Sequence, residues 1–234
     1  MPPITLHMVL ARDVALAIGH EDLAANPGSY LLGATSPDIR VLTRQDRNST
    51  HFFDLNDERH QDSVAAFFAA QGRFAAPEDL NPCTRAWVAG YVAHLAMDEL
   101  YITGIYRPFF ARHDALGGQV RANVMDRLLQ FELDRIYGND PELQRDLCEA
   151  LSCTVENIDV AGHTMDWERM RNMISNHLRF SGLEQGETLG SFLDSLPELL
   201  DATIAHVTSA EVDGFVQRST AVATAAIERY LGCG

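Results

Sequence analysis

The chain has 234 residues, of which 46% are hydrophobic, so it is long enough to bury one compact core without a second domain. Its formal net charge of -15 repels phosphate backbones and anionic lipid surfaces, which excludes stable nucleic-acid binding. No apolar run reaches the length of a transmembrane helix and the first residues lack a signal-peptide pattern, so we expect a cytoplasmic protein.

Helix start and stop signals dominate the N-terminal half, where no segment shows the alternation of apolar and polar residues that is typical of a β-strand. The first helix is predicted from Thr5, a candidate N-cap, to a stop at Gly19, with His7 in its first turn. Further helices are predicted over residues 27–32, from about 57 to 71, from 82 to about 110 and over 118–137. Residues 33–48 read as a turn followed by a polar loop.

The C-terminal half continues the same pattern. Helices are predicted over residues 141–151, from a capping-box sequence at 154–157 towards 177, over 189–206 and over 209–231. The four cysteines are scattered and read as free thiols: Cys83, Cys148, Cys153 and Cys233. With no repeat or linker, the sequence predicts an all-α, single-domain multi-helix bundle over residues 1–234.

An otherwise apolar stretch, residues 90–100, contains His94 and Asp98 four residues apart. In a helix both side chains leave the same face one turn apart, where they can bind one metal ion. Burial of an imidazole and a carboxylate among apolar residues is unfavourable unless each has a partner, and a divalent cation serves both. A buried, hydrogen-bonded polar pair is the alternative interpretation.

Three further residues carry metal-ligand chemistry in apolar or tightly turned surroundings: His7, Asp38 and His51. Zinc accepts imidazole nitrogen and carboxylate oxygen, and hydrolytic sites combine such ligands with a water position. Singly, each residue has an ordinary interpretation as well. Asp38 would stabilise a turn, for example, and His51 would be a core histidine.

Taken together, three motifs resemble the bacterial zinc-dependent phospholipase C family: Gly-x-x-x-Pro-Asp at residues 33–38, Thr-His-Phe-x-Asp at 50–54 and His-x-x-x-Asp at 94–98. The resemblance covers about the first half of the chain. It implies an all-α fold of the phospholipase C and P1 nuclease type, a cluster of one to three zinc ions, and hydrolysis of phosphodiester bonds.

Carried over by motif, Asp38, His51, His94 and Asp98 match the ligands of one family zinc site, and His7 matches a ligand of its neighbour. In the secreted enzymes the processed N-terminal amine completes that neighbouring site. Here the chain departs from the family, because no secretion signal precedes His7 and no histidine follows the His-x-x-x-Asp motif over residues 99–108.

Carboxylates on the next predicted helix are candidates to replace the missing ligands of the third zinc. These are Asp126, Glu132 and Asp134, for which a solvated surface is the ordinary alternative. The resulting hypothesis is a zinc hydrolase for a small-molecule phosphoester or phospholipid-like substrate, with Asp38 or Asp54 accepting the proton of the water.

Two other functions remain open on the sequence alone. His113 and Asp114 form the adjacent pair used by HD-type metal-dependent phosphohydrolases, which are also all-α. The missing downstream histidine motif instead favours a helical binding module with one structural metal.

Overall fold

The computed structural model describes residues 3–138, 141–152, 172, 174 and 196–233, and all regular structure in these ranges is helical. The all-α prediction is therefore confirmed. In chain order the α-helices are α1 (Ile4–Ile18), α2 (Glu21–Ala25), α3 (Pro27–Gly33), α4 (Arg40–Thr43), α5 (Asn48–His51), α6 (Ser63–Ala70), α7 (Pro82–Tyr101), α8 (Gln119–Gly138), α9 (Pro141–Ser152), α10 (Pro197–His206) and α11 (Ser209–Leu231).

Shorter or wider turns complete these elements. 3-10 turns cover Ser36–Ile39, Gly72–Phe74, Pro77–Asp79 and His113–Leu116, and a π-helical segment, Ile102–Phe110, continues α7 past its last α-helical residue. The predicted long helix to residue 110 thus has the right extent and a wider final turn. No described helix is both long and apolar enough to cross a membrane.

Helix α7 lies at the centre of the fold, with α3 and α11 packed against it. Its N-terminus is stabilised because the side chain of Asn81 accepts a hydrogen bond from the Thr84 amide and Pro82 occupies the first turn. Its side chains are buried almost all the way round, including Trp87, Val92 and Leu95. A helix surrounded by apolar neighbours must satisfy any polar side chain locally, and α7 carries both His94 and Asp98.

Two glycines allow α3 and α7 to approach at backbone distance. A Cβ added to Gly90 would lie 2.0 Å from the Tyr30 carbonyl oxygen, and one added to Gly33 would lie 2.0 Å from that of Trp87. Only hydrogen fits on either α-carbon at these distances. The crossing brings the end of α3 beside His94.

Three boundary predictions need correction. Thr5 is not the N-cap, because α1 already begins at Ile4; Thr5 is a helical residue whose side chain is buried in the protein. The helix predicted from about residue 57 begins at Ser63, where Asp62 accepts a hydrogen bond from the Ala65 amide. The polar loop before Arg47 contains the short helix α4.

Other boundaries agree with the sequence. Gly19 ends α1 at positive φ, and α11 begins with the reciprocal hydrogen bonds of a capping box between Thr208 and Glu211. The helix predicted from residue 154 towards 177 and the start of the one predicted from 189 lie outside the described residues, as does Cys153. The other three cysteines are free.

Candidate metal site

Four buried side chains from four elements meet beside α7. His7 comes from α1, Asp38 from the 3-10 turn after α3, His51 from the end of α5 and His94 from the middle of α7. Their exposed fractions are 1%, 3%, 1% and 0%, respectively. Residues far apart in sequence thus form one polar cluster inside an apolar core, which requires internal neutralisation.

Asp38, His51 and His94 bring their ligand atoms within 4.8 Å of one another, a group that can hold a metal ion. The His51 Nε2 atom lies 3.4 Å from Asp38 Oδ1 and 3.4 Å from His94 Nε2. Two ligands bound tetrahedrally at zinc-like bond lengths are about 3.4 Å apart. Two of the distances between candidate ligand atoms therefore already match tetrahedral coordination of a zinc ion.

Hydrogen bonds fix which nitrogen of each imidazole carries the proton. His94 Nδ1 lies 2.8 Å from the Ala34 carbonyl oxygen, which can only accept, so Nδ1 carries the hydrogen. The Thr50 hydroxyl donates to the Arg47 carbonyl and therefore accepts from His51 Nδ1 at 2.9 Å. Both Nε2 atoms are left as lone pairs that face each other, and a cation is what relieves their repulsion.

The charges of the cluster favour the same state. Burial lowers the pKa of His94 and keeps its imidazole neutral, as a metal ligand must be. The Asp38 carboxyl lies with its Oδ1 atom 3.4 Å from His51 Nε2, so a cation between these atoms would offset the cost of burying its charge. A carboxylate with two imidazoles is a suitable donor set for a divalent cation.

Hydrogen bonds from α7 hold the segments that carry Asp38 and His51 in place. The Trp87 indole donates to the Ser36 hydroxyl at 2.9 Å, which attaches the Asp38 turn to α7. The Tyr91 hydroxyl donates to the Thr50 carbonyl at 2.5 Å, which attaches the residue before His51. Phe52 follows His51 with a φ of 54°, a strained conformation for a non-glycine residue that lets the chain turn away after the ligand.

Asp98, predicted as a fourth ligand, stands outside the group of three. The residue is 1% exposed, and its carboxylate forms an ion pair through Oδ2 with the guanidinium of Arg47. The second oxygen, Oδ1, is buried without a hydrogen-bond partner. Direct ligation by Asp98 therefore stays a prediction.

His7 lies against the group without hydrogen-bonding to it. Its ring stacks on that of His94, with centroids 3.9 Å apart and planes 11° from parallel. Both ring nitrogens are buried without a hydrogen-bond partner, and burial lowers the pKa of His7 well below its usual value. Two buried nitrogens without partners lower the stability of the metal-free protein. Ligation of a neighbouring ion by His7 stays a prediction.

The substitution His7→Phe tests this cost. It keeps a stacked ring on His94 and removes two unpaired nitrogens, so we expect the metal-free protein to gain about 1–2 kcal/mol in the free energy of unfolding. Urea titration in the presence of a chelator measures the change. His7→Ala is the comparison, and we expect it to lose stability because the stacking is gone. A destabilised His7→Phe protein would mean that the nitrogens are paired in solution.

The remaining candidates lie apart from the group. Asp54 accepts a hydrogen bond from the Asn56 amide in a local turn. Asp126 accepts from the Tyr101 hydroxyl and from Gln130, and Glu132 is paired with Arg135. Among the described residues, neither these side chains nor Asp134, His113 and Asp114 belong to a metal-binding group.

Comparisons with protein-family models, curated proteins and solved structures find no match to this chain. The resemblance to the phospholipase C family therefore rests on the motifs alone. Sequence reasoning missed Arg47 and the positioning contacts of Thr50 and Ala34. Two of these could have been found from their distance to His51 along the chain, since Thr50 is adjacent and Arg47 precedes it by about one helical turn. The indication for Ala34 was Gly33, which marks a close approach of two backbones.

Proposed function

We propose that the protein is a zinc-dependent hydrolase of phosphoesters, with phosphodiesters as the first substrates to test. The observation that carries the proposal is the convergence of two bare imidazole Nε2 atoms and one carboxylate in a single buried group. Three protein ligands leave a fourth tetrahedral position, the arrangement that catalytic zinc sites use for water or substrate.

When bound, a zinc ion supplies Lewis acidity and makes a water molecule acidic enough to react near neutral pH. The protein's own contribution is positioning. The Ala34 carbonyl and the Thr50 hydroxyl orient His94 and His51, so that little reorganisation is needed on binding. Asp38 provides the negative charge, and as proton acceptor it is favoured over Asp54, which the structure places in a separate turn.

The proposed substrate is a small-molecule or phospholipid-like phosphoester in the cytoplasm. The acidic chain disfavours a polyanionic nucleic acid, because repulsion between like charges slows its approach. The free thiols of Cys83, Cys148 and Cys233 agree with a reducing compartment. One group of three ligands supports one zinc ion, while further ions near His7 belong to the prediction from the motifs.

A second function is favoured by the burial of the site. Asp38, His51 and His94 are all at most 3% exposed, as structural metal ligands usually are. In that alternative the chain is a helical binding module whose zinc ion stabilises the fold without turnover. The two functions differ in whether metal loading produces hydrolysis.

The test combines metal analysis with hydrolysis of a chromogenic phosphodiester, bis-p-nitrophenyl phosphate. We expect purified protein to contain about one equivalent of zinc, and we expect Asp38→Asn and His94→Ala each to lower both zinc affinity and hydrolysis at least about a hundredfold. Zinc binding without hydrolysis would support the structural alternative. Absence of zinc binding would overturn both.

Two control variants make the result specific. His60→Ala removes an exposed histidine and should change neither zinc content nor hydrolysis. His113→Ala removes half of the candidate HD pair and should also have no effect, because His113 lies outside the ligand group and its ring hydrogen-bonds to the nearby Ala111 carbonyl. Loss of activity in His113→Ala would instead favour the HD-type phosphohydrolase.

A further inference from the structure

The ion pair between Arg47 and Asp98 adjoins the metal group and has no part in the function proposed above. The Arg47 side chain is 10% exposed and that of Asp98 is 2% exposed, so both charges are almost fully removed from water. Arg47 also donates to the Phe53 carbonyl at 3.0 Å, which fixes its guanidinium beside the residues that follow His51. The pair therefore joins the α5 loop to α7.

Asp98 is placed where it can pair with Arg47 or bind a metal ion at the neighbouring group. It follows His94 by one helical turn on the same face of α7, and its Oδ1 atom is buried without a hydrogen-bond partner. A buried carboxylate oxygen without a donor is unfavourable, and a cation at the neighbouring group is what such an atom would bind. Asp98 is thus a carboxylate within one turn of a metal group but held by a permanent cation.

We infer that Arg47 acts as a positioning residue that keeps Asp98 out of the metal's ligand set and so limits the site to three protein ligands. This inference rests on the metal site of the proposed function. Arginine remains charged at any pH at which a protein folds, and Asp98 is its only ion-pair partner among the described residues. Release of Asp98 would leave the guanidinium buried and unpaired, a cost that opposes ligation of the metal by Asp98.

The consequence is an open coordination position. With Asp98 bound, zinc would have four protein ligands, the closed arrangement typical of structural sites. With Asp98 held by Arg47, the fourth position stays free. A single arginine then determines whether the same ligands form an open or a closed site.

The test measures zinc affinity by competition with a fluorescent chelator and locates the ion by anomalous diffraction from zinc-loaded crystals. Arg47→Met removes the charge and keeps most of the side-chain volume. We expect it to bind zinc about tenfold more tightly or better, with Asp98 as a fourth ligand in the crystal, and to hydrolyse phosphodiester more slowly. The wild-type protein should show three protein ligands and an intact Arg47–Asp98 pair.

Three further proteins make the outcome decisive. Arg47→Met/Asp98→Asn should return zinc affinity close to that of the wild type, because the freed carboxylate is gone. Asp98→Asn alone tests the same carboxylate if Arg47→Met folds poorly, and it should leave the three-ligand site without a change of ligands. Arg107→Met, which removes an arginine bound to the Asp57 carbonyl, should behave as the wild type.

The inference and the proposed function fail in different ways. If the wild-type protein binds no zinc, the metal site itself is wrong. If it binds zinc with Asp98 already as a ligand, or if Arg47→Met neither tightens binding nor recruits Asp98, the role assigned to Arg47 is overturned, whereas the proposed function is decided separately by phosphodiester hydrolysis.

Discussion

Gly90→Ala is expected to lower Tm by about 6–12 °C and to weaken metal binding, although residue 90 is not itself a candidate ligand. The new methyl carbon would lie 2.0 Å from the Tyr30 carbonyl oxygen and 2.7 Å from the Ala34 amide nitrogen. Both atoms belong to the backbone of the α3 end, so no rotamer change relieves the clash and the two helices must separate. Overpacking of this kind costs about 3 kcal/mol, which corresponds to the stated change for a chain of this size.

The effect on the metal follows from the same displacement. The Ala34 carbonyl holds His94 Nδ1 at 2.8 Å, so a shift of the α3 end removes the hydrogen bond that orients the ligand. Loss of such an orienting partner weakens metal affinity about 10–100-fold. Thermal melts followed by circular dichroism and zinc titration of the same sample measure the two effects together.

Gly104→Ala is the matched control, on the π-helical continuation of α7. Apart from the adjoining backbone of its own helix, its added carbon would lie no closer than 3.9 Å to a described atom, an ordinary contact with the Leu100 side chain. We expect unchanged zinc affinity and a Tm equal to or slightly above that of the wild type, since alanine restricts the unfolded chain. If Gly90→Ala melted as the wild type does, the helix crossing would not be as close as described.

The helical class and the candidate ligands were predicted from the sequence for separate reasons. The class followed from local signals such as Gly19, Asn81-Pro82 and the Thr208 capping box, which act over a few residues and need no tertiary context. The candidates followed from the burial argument for His94 and Asp98 and from the motifs that contain Asp38 and His51, and the structure brings Asp38, His51 and His94 together.

What the sequence did not reveal depends on contacts across the fold. Arg47 lies 51 positions from Asp98, and no spacing rule connects an arginine in a polar loop with a carboxylate in a central helix. The start of α6 was misplaced for a local reason instead. Asp57 binds Arg59, and Gln61 bonds to the Asp54 and Asp57 carbonyls, so residues 54–61 are held in turns instead of a helix.

Hydrogen bonds to the rest of the fold hold the candidate ligands, and this bears on which function is right. Side-chain hydrogen bonds from Trp87 and Tyr91 hold the Asp38 turn and the α5 segment, and the Ala34 carbonyl holds His94. A large apolar core that includes Trp87, Leu95 and Phe67 surrounds α7. A fold assembled in this way should persist after chelation, as expected of a catalytic site and not of a structural one.

Zinc should therefore raise Tm without being required for folding. At a free zinc concentration about a thousand times the dissociation constant, binding adds about 4 kcal/mol to the free energy of unfolding, which corresponds to a Tm about 8–16 °C higher. Chelation should reverse the shift and leave the helical circular dichroism at 25 °C unchanged. The same titration with Asp38→Asn, at a hundredfold lower affinity or less, should show a Tm shift of no more than about 3–6 °C, because the variant lacks the carboxylate of the ligand group.

The outcome separates the two functions without a substrate. Retained helical signal after chelation favours the hydrolase, since the core and the side-chain hydrogen bonds already place the ligands. Loss of the helical signal on chelation would mean that the repulsion between the facing Nε2 lone pairs, 3.4 Å apart, outweighs those contacts in the absence of a cation. In that case the structural-metal alternative would replace the hydrolase as the better account of this site.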